Sequence, residues 1–231
     1  MSYKRSKGHN PGLNGEPKRG GVKGKPEKYK FLTEEQVSAL LNAIASDTDN
    51  RNRARDHCAM FCCFYFALRV SECAILDRES FQWLADNKVD LQTLKQRREK
   101  GAQGLPRRSP PQVEASAVLY VTEYLKRMHP RQKFLFTSHN IARHVSSRTL
   151  DRVFNTYAEK IGLSIHYSSH AMRHARGVYI YEMFKDVLMV KGMLRHSSLK
   201  SSEVYLHLSP STLAENQRKL DERSITVNPI K

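Results

Sequence analysis

Two histidines, an arginine and a tyrosine in the C-terminal half of the chain stand at intervals that could support chemistry on a phosphate. His170 and Arg173 are three residues apart on an expected helix, so their side chains share one face. His196 lies 23 residues beyond Arg173, and Tyr205 follows nine residues after that. A tyrosine hydroxyl can attack phosphorus while cations stabilise charge on the non-bridging oxygens and a histidine moves protons. This spacing therefore predicts phosphoryl transfer.

Arg69 and Lys100 complete the set of candidate catalytic residues. Arg69 stands directly after residues 58–68, the longest apolar run of the chain, where the backbone must turn. Arginine suits contact with phosphate oxygens because its guanidinium group is planar and permanently charged. Each residue also has an ordinary interpretation by itself; Arg69, for example, could cap a helix and pair with Glu72. Only the combination favours a site for phosphoryl transfer without a metal.

The ten histidines also invite the hypothesis of a metal-dependent nuclease. No acidic cluster with metal-ligand spacing accompanies them, so we expect neither a metal nor another cofactor. The cysteines give no zinc pattern either, because three of them sit in one apolar stretch without an answering Cys-x-x-Cys pair. We expect all four to be buried and reduced: Cys58, Cys62, Cys63 and Cys73.

The elements that must position these residues are mostly helical. Thr33 and Gln36 form a capping-box pattern before apolar residues at helical spacing. The stretch 53–68 is apolar nearly all round in its second half, which is typical of a central buried helix. Further helices are expected over residues 71–76, 111–128, 147–161, 168 or 169–184, 186–194, 201–206 and 210–220.

One segment has the alternation of a strand instead. Residues 89–94 alternate apolar and polar side chains, Gly101 and Gly104 supply a turn, and residues 105–111 lead out of it. We expect a small antiparallel hairpin, so the fold class is α+β, mostly α: a helical domain with one small sheet. The hairpin is rich in basic residues: Lys95, Arg97, Arg98, Lys100, Arg107 and Arg108.

The charge balance indicates a polyanionic partner. The formal net charge is +16 on 231 residues, which favours nucleic acid, and the basic residues of the hairpin are expected to contact it. A membrane surface is the alternative, but the longest apolar run has only eleven residues and no secretory signal is recognisable. We therefore expect no membrane partner and a cytoplasmic, nucleoid-associated location, or a protein encoded by a virus or mobile element.

The chain is expected to have three parts. Residues 1–30 hold nine Lys or Arg, two Glu and six Gly, and they predict a disordered basic arm that tracks DNA. Residues 31–220 form the expected catalytic domain, and residues 221–231 form a short tail.

The motifs resemble those of the tyrosine recombinases, or phage integrases. Residues 68–72 (Leu-Arg-Val-Ser-Glu) resemble the first box of that family, and residues 170–173 (His-Ala-Met-Arg) resemble its His-x-x-Arg motif. Residues 194–196 (Leu-Arg-His), nine residues before Tyr205, resemble its Leu-Gly-His box and nucleophile. The order of the boxes is that of the family, and the resemblance covers about residues 31–220.

This resemblance implies the chemistry of strand exchange. Tyr205 would attack the scissile phosphate of double-stranded DNA to give a 3′-phosphotyrosyl link, while Arg69 and Arg173 hold the non-bridging oxygens. Lys100 would be the general acid for the leaving 5′-oxygen. Lys95 is the alternative, since one sequence does not fix the register of the hairpin.

Two histidines have implied roles as well. His170 would exchange a proton with the tyrosine, and His196 would hydrogen-bond the phosphate. Because attack by the 5′-hydroxyl of a second DNA strand would reverse the step and conserve its energy, the resemblance also implies that neither ATP nor a metal is needed. Two positions depart from the family, because Ala67 and Arg195 stand where it usually has glycine. Arg195 could restrict the loop that presents His196, or it could add a contact with the DNA phosphates.

Recombinases of this kind act as a tetramer on two DNA sites, and an accessory DNA-bending protein is a further candidate partner. They usually carry a core-binding domain before the catalytic domain, where this sequence has only the arm, so we expect a short recombinase or a fragment. Two alternatives remain. One is a monomeric relaxase resembling type IB topoisomerases, and the other is a DNA-binding regulator without catalysis, which the six filled positions disfavour.

Overall fold

A computed structural model of the chain describes residues 31–82, 84–86, 88–94, 107–108, 110, 113–163 and 167–207. The expected basic arm, the helix expected over 210–220 and the tail lie outside these residues. So do four of the basic residues assigned to the hairpin: Lys95, Arg97, Arg98 and Lys100.

Helices make up most of the described chain. The α-helices are α1 Glu34–Ser46, α2 Arg53–Tyr65, α3 Val70–Ala74, α4 Ala115–Lys126, α5 Ser147–Lys160, α6 His170–Phe184 and α7 Val187–Met193. Short 3-10 helices cover Arg78–Phe81, Leu84–Asp86, Leu199–Ser201 and Glu203–His207. None of the described helices is both long enough and apolar enough to cross a membrane.

The sheet is a single pair of short strands within the described residues. Strand β1, Leu91–Gln92, runs antiparallel to β2, Arg107–Arg108. Leu91 stands opposite Arg108 and Gln92 stands opposite Arg107. The fold class of helices with one small antiparallel sheet is therefore confirmed.

Local sequence signals account for several helix ends. The Thr33 side chain accepts from the amide of Gln36, whose own side chain accepts from the amide of Thr33, so the expected capping box opens α1. Helix α5 ends as expected before Gly162, which has a φ of +74°. Helix α4 begins at Ala115, later than the expected residue 111.

Helix α2 ends three residues earlier than the expected 53–68. Ala67 adopts a left-handed φ of +46°, which a helix cannot accommodate, so the backbone turns two residues before Arg69. Arg69 itself is the residue before the first turn of α3. The turn at Ala67 is what sends the chain from the central helix into the candidate site.

Helix α2 lies in the middle of the core, packed against α1, α5 and α6. Its residues Cys58 to Phe64 are all buried, which confirms the prediction of a central helix. The four cysteines are buried and free, as predicted. A second, smaller apolar cluster joins α6 and α7 to the segment that carries Tyr205: Ala67, Val178, Ile180, Tyr181, Val190, Leu194 and Tyr205.

Candidate active site

Tyr205 is held inside the protein by its own chain. It lies in the 3-10 helix Glu203–His207, its side chain is 1% exposed, and its ring packs against Gly177 of α6. Its hydroxyl lies 3.0 Å from Nδ1 of His174. Burial raises the pKa of Tyr205 to about 12, and the nearby positive charge of Arg173 opposes this only in part. The phenol therefore keeps its proton at neutral pH and needs a base before it can attack.

Arg173 projects from α6 into the same interior and is 2% exposed. One end of its guanidinium donates to the carbonyl oxygen of Ala67, and Nη2 donates to that of Leu194 at 2.5 Å. These carbonyls belong to the turn after α2 and to the end of α7, so Arg173 ties three segments together. Burial lowers the pKa of Arg173 to about 9, and the charges of Arg69 and Arg195 add to this shift.

Glu72 is the carboxylate that three guanidinium groups share. Its Oε1 lies 2.8 Å from Nη1 of Arg69, and its Oε2 lies 3.6 Å from Nη2 of Arg195 and 3.9 Å from Nη1 of Arg173. Burial raises the pKa of Glu72, but the amide of Arg69 and the three guanidinium groups outweigh it and leave the pKa below its ordinary value. The pair of Arg69 with Glu72, which was the ordinary interpretation of Arg69, is thus present as part of a larger cluster.

Arg69 is the member of this cluster that reaches the surface. Its side chain is 21% exposed, whereas those of Glu72 and Arg173 are almost fully buried. Its Nε is buried and has no hydrogen-bond partner among the described residues. A buried donor of this kind is costly unless something accepts from it. Arg69 therefore offers a donor that a bound oxyanion could satisfy.

Arg195 is placed differently from the DNA contact expected of it. Its guanidinium is buried, and it donates to the carbonyl oxygens of Phe66 at 2.6 Å and of Ala67 at 3.4 Å. Burial lowers its pKa to about 10, while Glu72 opposes this. Arg195 has a φ of +55° and Ala67 has a φ of +46°. Glycine adopts such left-handed conformations without a steric cost, which explains why it suits both positions. Arg195 holds the turn after α2 in place and does not face solvent.

His196 follows in the same turn and is partly buried. Its Nδ1 lies 2.8 Å from Oγ of Ser202, a fully buried residue three positions before Tyr205. Burial lowers the pKa of His196 to about 4, and Arg173 and Arg69 lower it further. The ring is therefore neutral at physiological pH, and it links the loop after α7 to the segment that carries the tyrosine.

His170 opens α6 and is exposed, and its ring meets that of His174 edge to face with centroids 4.6 Å apart. Two histidines four residues apart on a helix can share a metal ion. Among the described residues, however, no group of three His, Cys, Asp or Glu is arranged to hold one.

The structure thus brings four of the six candidate catalytic residues into one neighbourhood, with a fifth at its edge. Arg69 and Arg173 lie against Glu72, while His196 and Tyr205 lie close enough to Arg173 for its charge to act on them. His170 borders this group through His174. Lys100 lies outside the described residues, as does its alternative Lys95. Arg107 and Arg108 form β2, as the hairpin interpretation requires.

Sequence reasoning missed three residues of this site: His174, Gly177 and Ser202. A signal existed for two of them. His174 directly follows Arg173 and stands four residues after His170, and Gly177 stands one turn further along the same face of α6. No pattern in the sequence marks Ser202, which is one serine among several before Tyr205.

Comparison with known proteins identifies relatives of the whole described region. The model of the phage integrase family matches residues 30–212. Tyrosine recombinase XerC of Chlamydia pneumoniae is 29% identical over 183 residues, which are 77% of this chain and 54% of that protein. Tyrosine recombinase XerA of Pyrococcus furiosus is 27% identical over 188 residues, which are 80% of this chain and 60% of that protein. The chain spans about half the length of the curated relatives it matches.

Solved structures share the fold. A crystal structure of XerA recombinase superposes with a TM-score of 0.66 at 21% identity, over 87% of this chain and 68% of that one. The Tn1549 transposon integrase in complex with transposon right end DNA superposes with a TM-score of 0.68 at 16% identity, over the same shares. The resemblance first drawn from the motifs is confirmed by the match over residues 30–212, and the chain belongs to the phage integrase family.

Proposed function

We propose that the protein is a site-specific DNA recombinase that cuts and rejoins DNA through a 3′-phosphotyrosyl intermediate on Tyr205. The observation that carries this proposal is the cluster in which three arginines share the carboxylate of Glu72 beside a buried tyrosine. The family match and the names of the relatives support the same reaction class.

The charge of this cluster favours an anion as its ligand. Three guanidinium groups face one carboxylate, so positive charge exceeds negative charge in a largely buried place. Burial is the main reason why the pKa values of Arg173 and Arg195 are lowered, and the charges of neighbouring arginines lower them further. Bringing a phosphodiester to this place would offset the excess. The effect grows in the transition state, where more negative charge builds on the non-bridging oxygens.

The residues of the cluster then have distinct roles. Arg69, partly exposed and with an unsatisfied Nε, holds a non-bridging oxygen directly. Arg173 contributes positive charge from the protein interior, because its guanidinium already donates hydrogen bonds to two carbonyl oxygens. His196, neutral and close to both arginines, hydrogen-bonds the phosphate, and Lys100 protonates the leaving 5′-oxygen.

The proposal requires neither ATP nor a metal ion. The bond between tyrosine and phosphate keeps the energy of the broken phosphodiester, so the 5′-hydroxyl of another strand can reverse the step. The partner is double-stranded DNA, bound through the basic hairpin, and the exchange of strands between two sites requires a tetramer.

A covalent-capture experiment tests this function. The full chain is incubated in EDTA with a pool of nicked duplexes whose central sequence is randomised, and DNA that stays attached under denaturing conditions is recovered. We expect an attached fraction, with mass spectrometry placing the nucleotide on Tyr205, and we expect Tyr205→Phe to abolish it. Tyr157→Phe is the matched control, because Tyr157 is also buried with its hydroxyl in hydrogen bonds. Loss of attachment in both variants, or in neither, would contradict the proposal.

One observation favours a second candidate, a monomeric DNA relaxase with the same covalent chemistry. Tyr205 packs against α6 of its own chain, so the described residues of a single protomer already contain an assembled nucleophile. Assays with the DNA recovered by covalent capture distinguish the two functions. Joining of strands from two duplexes by an oligomer supports the recombinase, while relaxation of supercoiled plasmid at any sequence by a monomer supports the relaxase.

A further inference from the structure

We propose that His174 is the general base that takes the phenolic proton of Tyr205, a role that rests on the proposed strand transfer and assigns one of its steps. The motifs direct attention to His170 and His196 for proton transfer. The geometry instead places a third histidine, directly after Arg173 in the sequence, against the reacting oxygen.

The contact between the two residues is a hydrogen bond in a fixed setting. Nδ1 of His174 lies 3.0 Å from Oη of Tyr205, and the two rings have centroids 6.1 Å apart. In the tautomer with its proton on Nε2, Nδ1 accepts from the tyrosine hydroxyl. The ring of Tyr205 sits on the backbone of Gly177, so the tyrosine cannot turn away from His174 without moving an element.

The electrostatic environment of His174 suits a base that later returns its proton. Burial lowers the pKa of His174, and the charge of Arg173 lowers it further, so the imidazole is neutral at physiological pH. The groups that face it are Tyr205 through the hydroxyl, His170 through its ring, Arg173 from the same helix, and His196, on which it also acts electrostatically. A proton taken by His174 would be held weakly and so be available for the reverse reaction.

The other two histidines of the site are placed less well for this step. The ring of His170 lies against that of His174, at the exposed start of α6, on the way to solvent. Nδ1 of His196 is engaged with Oγ of Ser202. His174 is the histidine among the described residues whose ring nitrogen lies within hydrogen-bond distance of the Tyr205 hydroxyl.

Each proton released or taken up during cleavage is returned during rejoining. During cleavage, Oη of Tyr205 loses its proton to Nδ1 of His174 and forms a bond to phosphorus, while the bond from phosphorus to the 5′-oxygen breaks. The leaving 5′-oxygen receives a proton from the general acid, proposed as Lys100. During rejoining, a 5′-hydroxyl gives its proton back to that acid, and His174 returns its own to Tyr205.

His174→Asn is the first test, since Oδ1 of asparagine can occupy the place of Nδ1 and accept the hydrogen bond without taking the proton. With a nicked duplex recovered by covalent capture, we expect the single-turnover cleavage rate to fall by roughly 10²- to 10⁴-fold, as for loss of a general base. His57→Asn is the matched control, because Nδ1 of His57 makes the same kind of contact with the hydroxyl of Tyr120, outside this site. We expect it to cleave at the wild-type rate.

A second measurement separates a base from a merely structural residue. Tyr205 is replaced by a fluorinated tyrosine whose phenol is more acidic and ionises without help. In His174→Asn this replacement should restore most of the lost rate, whereas a residue that only positions the ring would not be rescued. A substrate with sulfur in place of the leaving 5′-oxygen should rescue a Lys100 variant and leave the His174→Asn defect unchanged.

The experiments distinguish a failure of the proposed strand transfer from a failure of the role given to His174. If wild-type protein forms no covalent complex with any member of the pool, the proposed function fails and the inference falls with it. If the wild type and His57→Asn form the complex and His174→Asn forms it equally fast, only the inference fails. A slow His174→Asn variant that the fluorinated tyrosine does not rescue also overturns it.

Discussion

A β-carbon added to Gly177 would lie 2.5 Å from both Cε1 and Cζ of the Tyr205 ring. The bare backbone of α6 is therefore the surface on which the tyrosine sits. Gly177→Ala should push the ring out of this place or displace the 3-10 helix that carries it. Overpacking of this kind lowers the free energy of unfolding by about 1–3 kcal/mol, and covalent capture of DNA should be lost or strongly slowed.

A double variant isolates this contact from the effect of alanine on the helix. Alanine is favoured over glycine inside a helix by about 0.5–1 kcal/mol. Gly177→Ala should thus destabilise the chain when Tyr205 is present and stabilise it in a Tyr205→Ala background, as urea unfolding would measure. The same sign of change in both backgrounds would mean that the ring does not rest on Gly177.

Glu72→Gln should be the most damaging single substitution in the arginine cluster. It removes the carboxylate that faces three guanidinium groups and leaves their charges uncompensated in a buried place. Breaking a buried ion pair in this way lowers the free energy of unfolding by about 3–5 kcal/mol. Glu123→Gln, which breaks only the exposed pair with Lys126, should change it by less than about 0.5 kcal/mol. Equal effects in urea unfolding would contradict the central place given to Glu72.

Stability should fall in mild acid because His196 is held neutral. Its pKa is about 4 in the folded protein, against 6.5 ordinarily, so the unfolded chain takes up the proton first as the pH falls. This contribution is complete above pH 6.5 and is lost progressively as the pH falls to 4. His196→Asn should reduce the slope of melting temperature against pH in this window. Some slope should remain, since the pKa values of His57 and His174 are also lowered.

The exposed His139 supplies the control for that experiment. His139→Asn removes a histidine outside the site, and the dependence of melting temperature on pH should stay as in the wild type. A flatter curve in this variant, or an unchanged one in His196→Asn, would contradict the assignment of the window to the buried ring.

The salt dependence of DNA binding should distinguish the basic residues of the hairpin from Arg195. Each contact between a cation and a phosphate contributes about 0.9 to the slope of log affinity against log salt. Replacing Arg107 and Arg108 by glutamine should lower that slope by about 2 on duplex DNA. Arg195→Gln should leave the slope unchanged, because its guanidinium is turned to the carbonyl oxygens of Phe66 and Ala67. A lower slope in Arg195→Gln would instead support the DNA contact that the sequence predicted for Arg195.

Much of the fold could be predicted because its signals are local. The capping box at Thr33 and the left-handed Gly162 define helix ends within a few residues of sequence. The apolar run after Cys58 predicted the central helix for a similar reason, since a segment that is apolar on every side must be surrounded. The early end of α2 escaped prediction, because it depends on the left-handed φ of Ala67, a conformation that alanine rarely adopts.

The sequence by itself determined which chemical groups are present and in which order, from Arg69 to Tyr205. Only the tertiary structure decided what each group touches. Arg173 meets a carbonyl 106 residues away, Arg195 one that is 129 residues away, and Tyr205 a histidine 31 residues before it. Periodicity along a helix reports that a face is buried but not what lies against it, because the partner is chosen by the packing of distant segments.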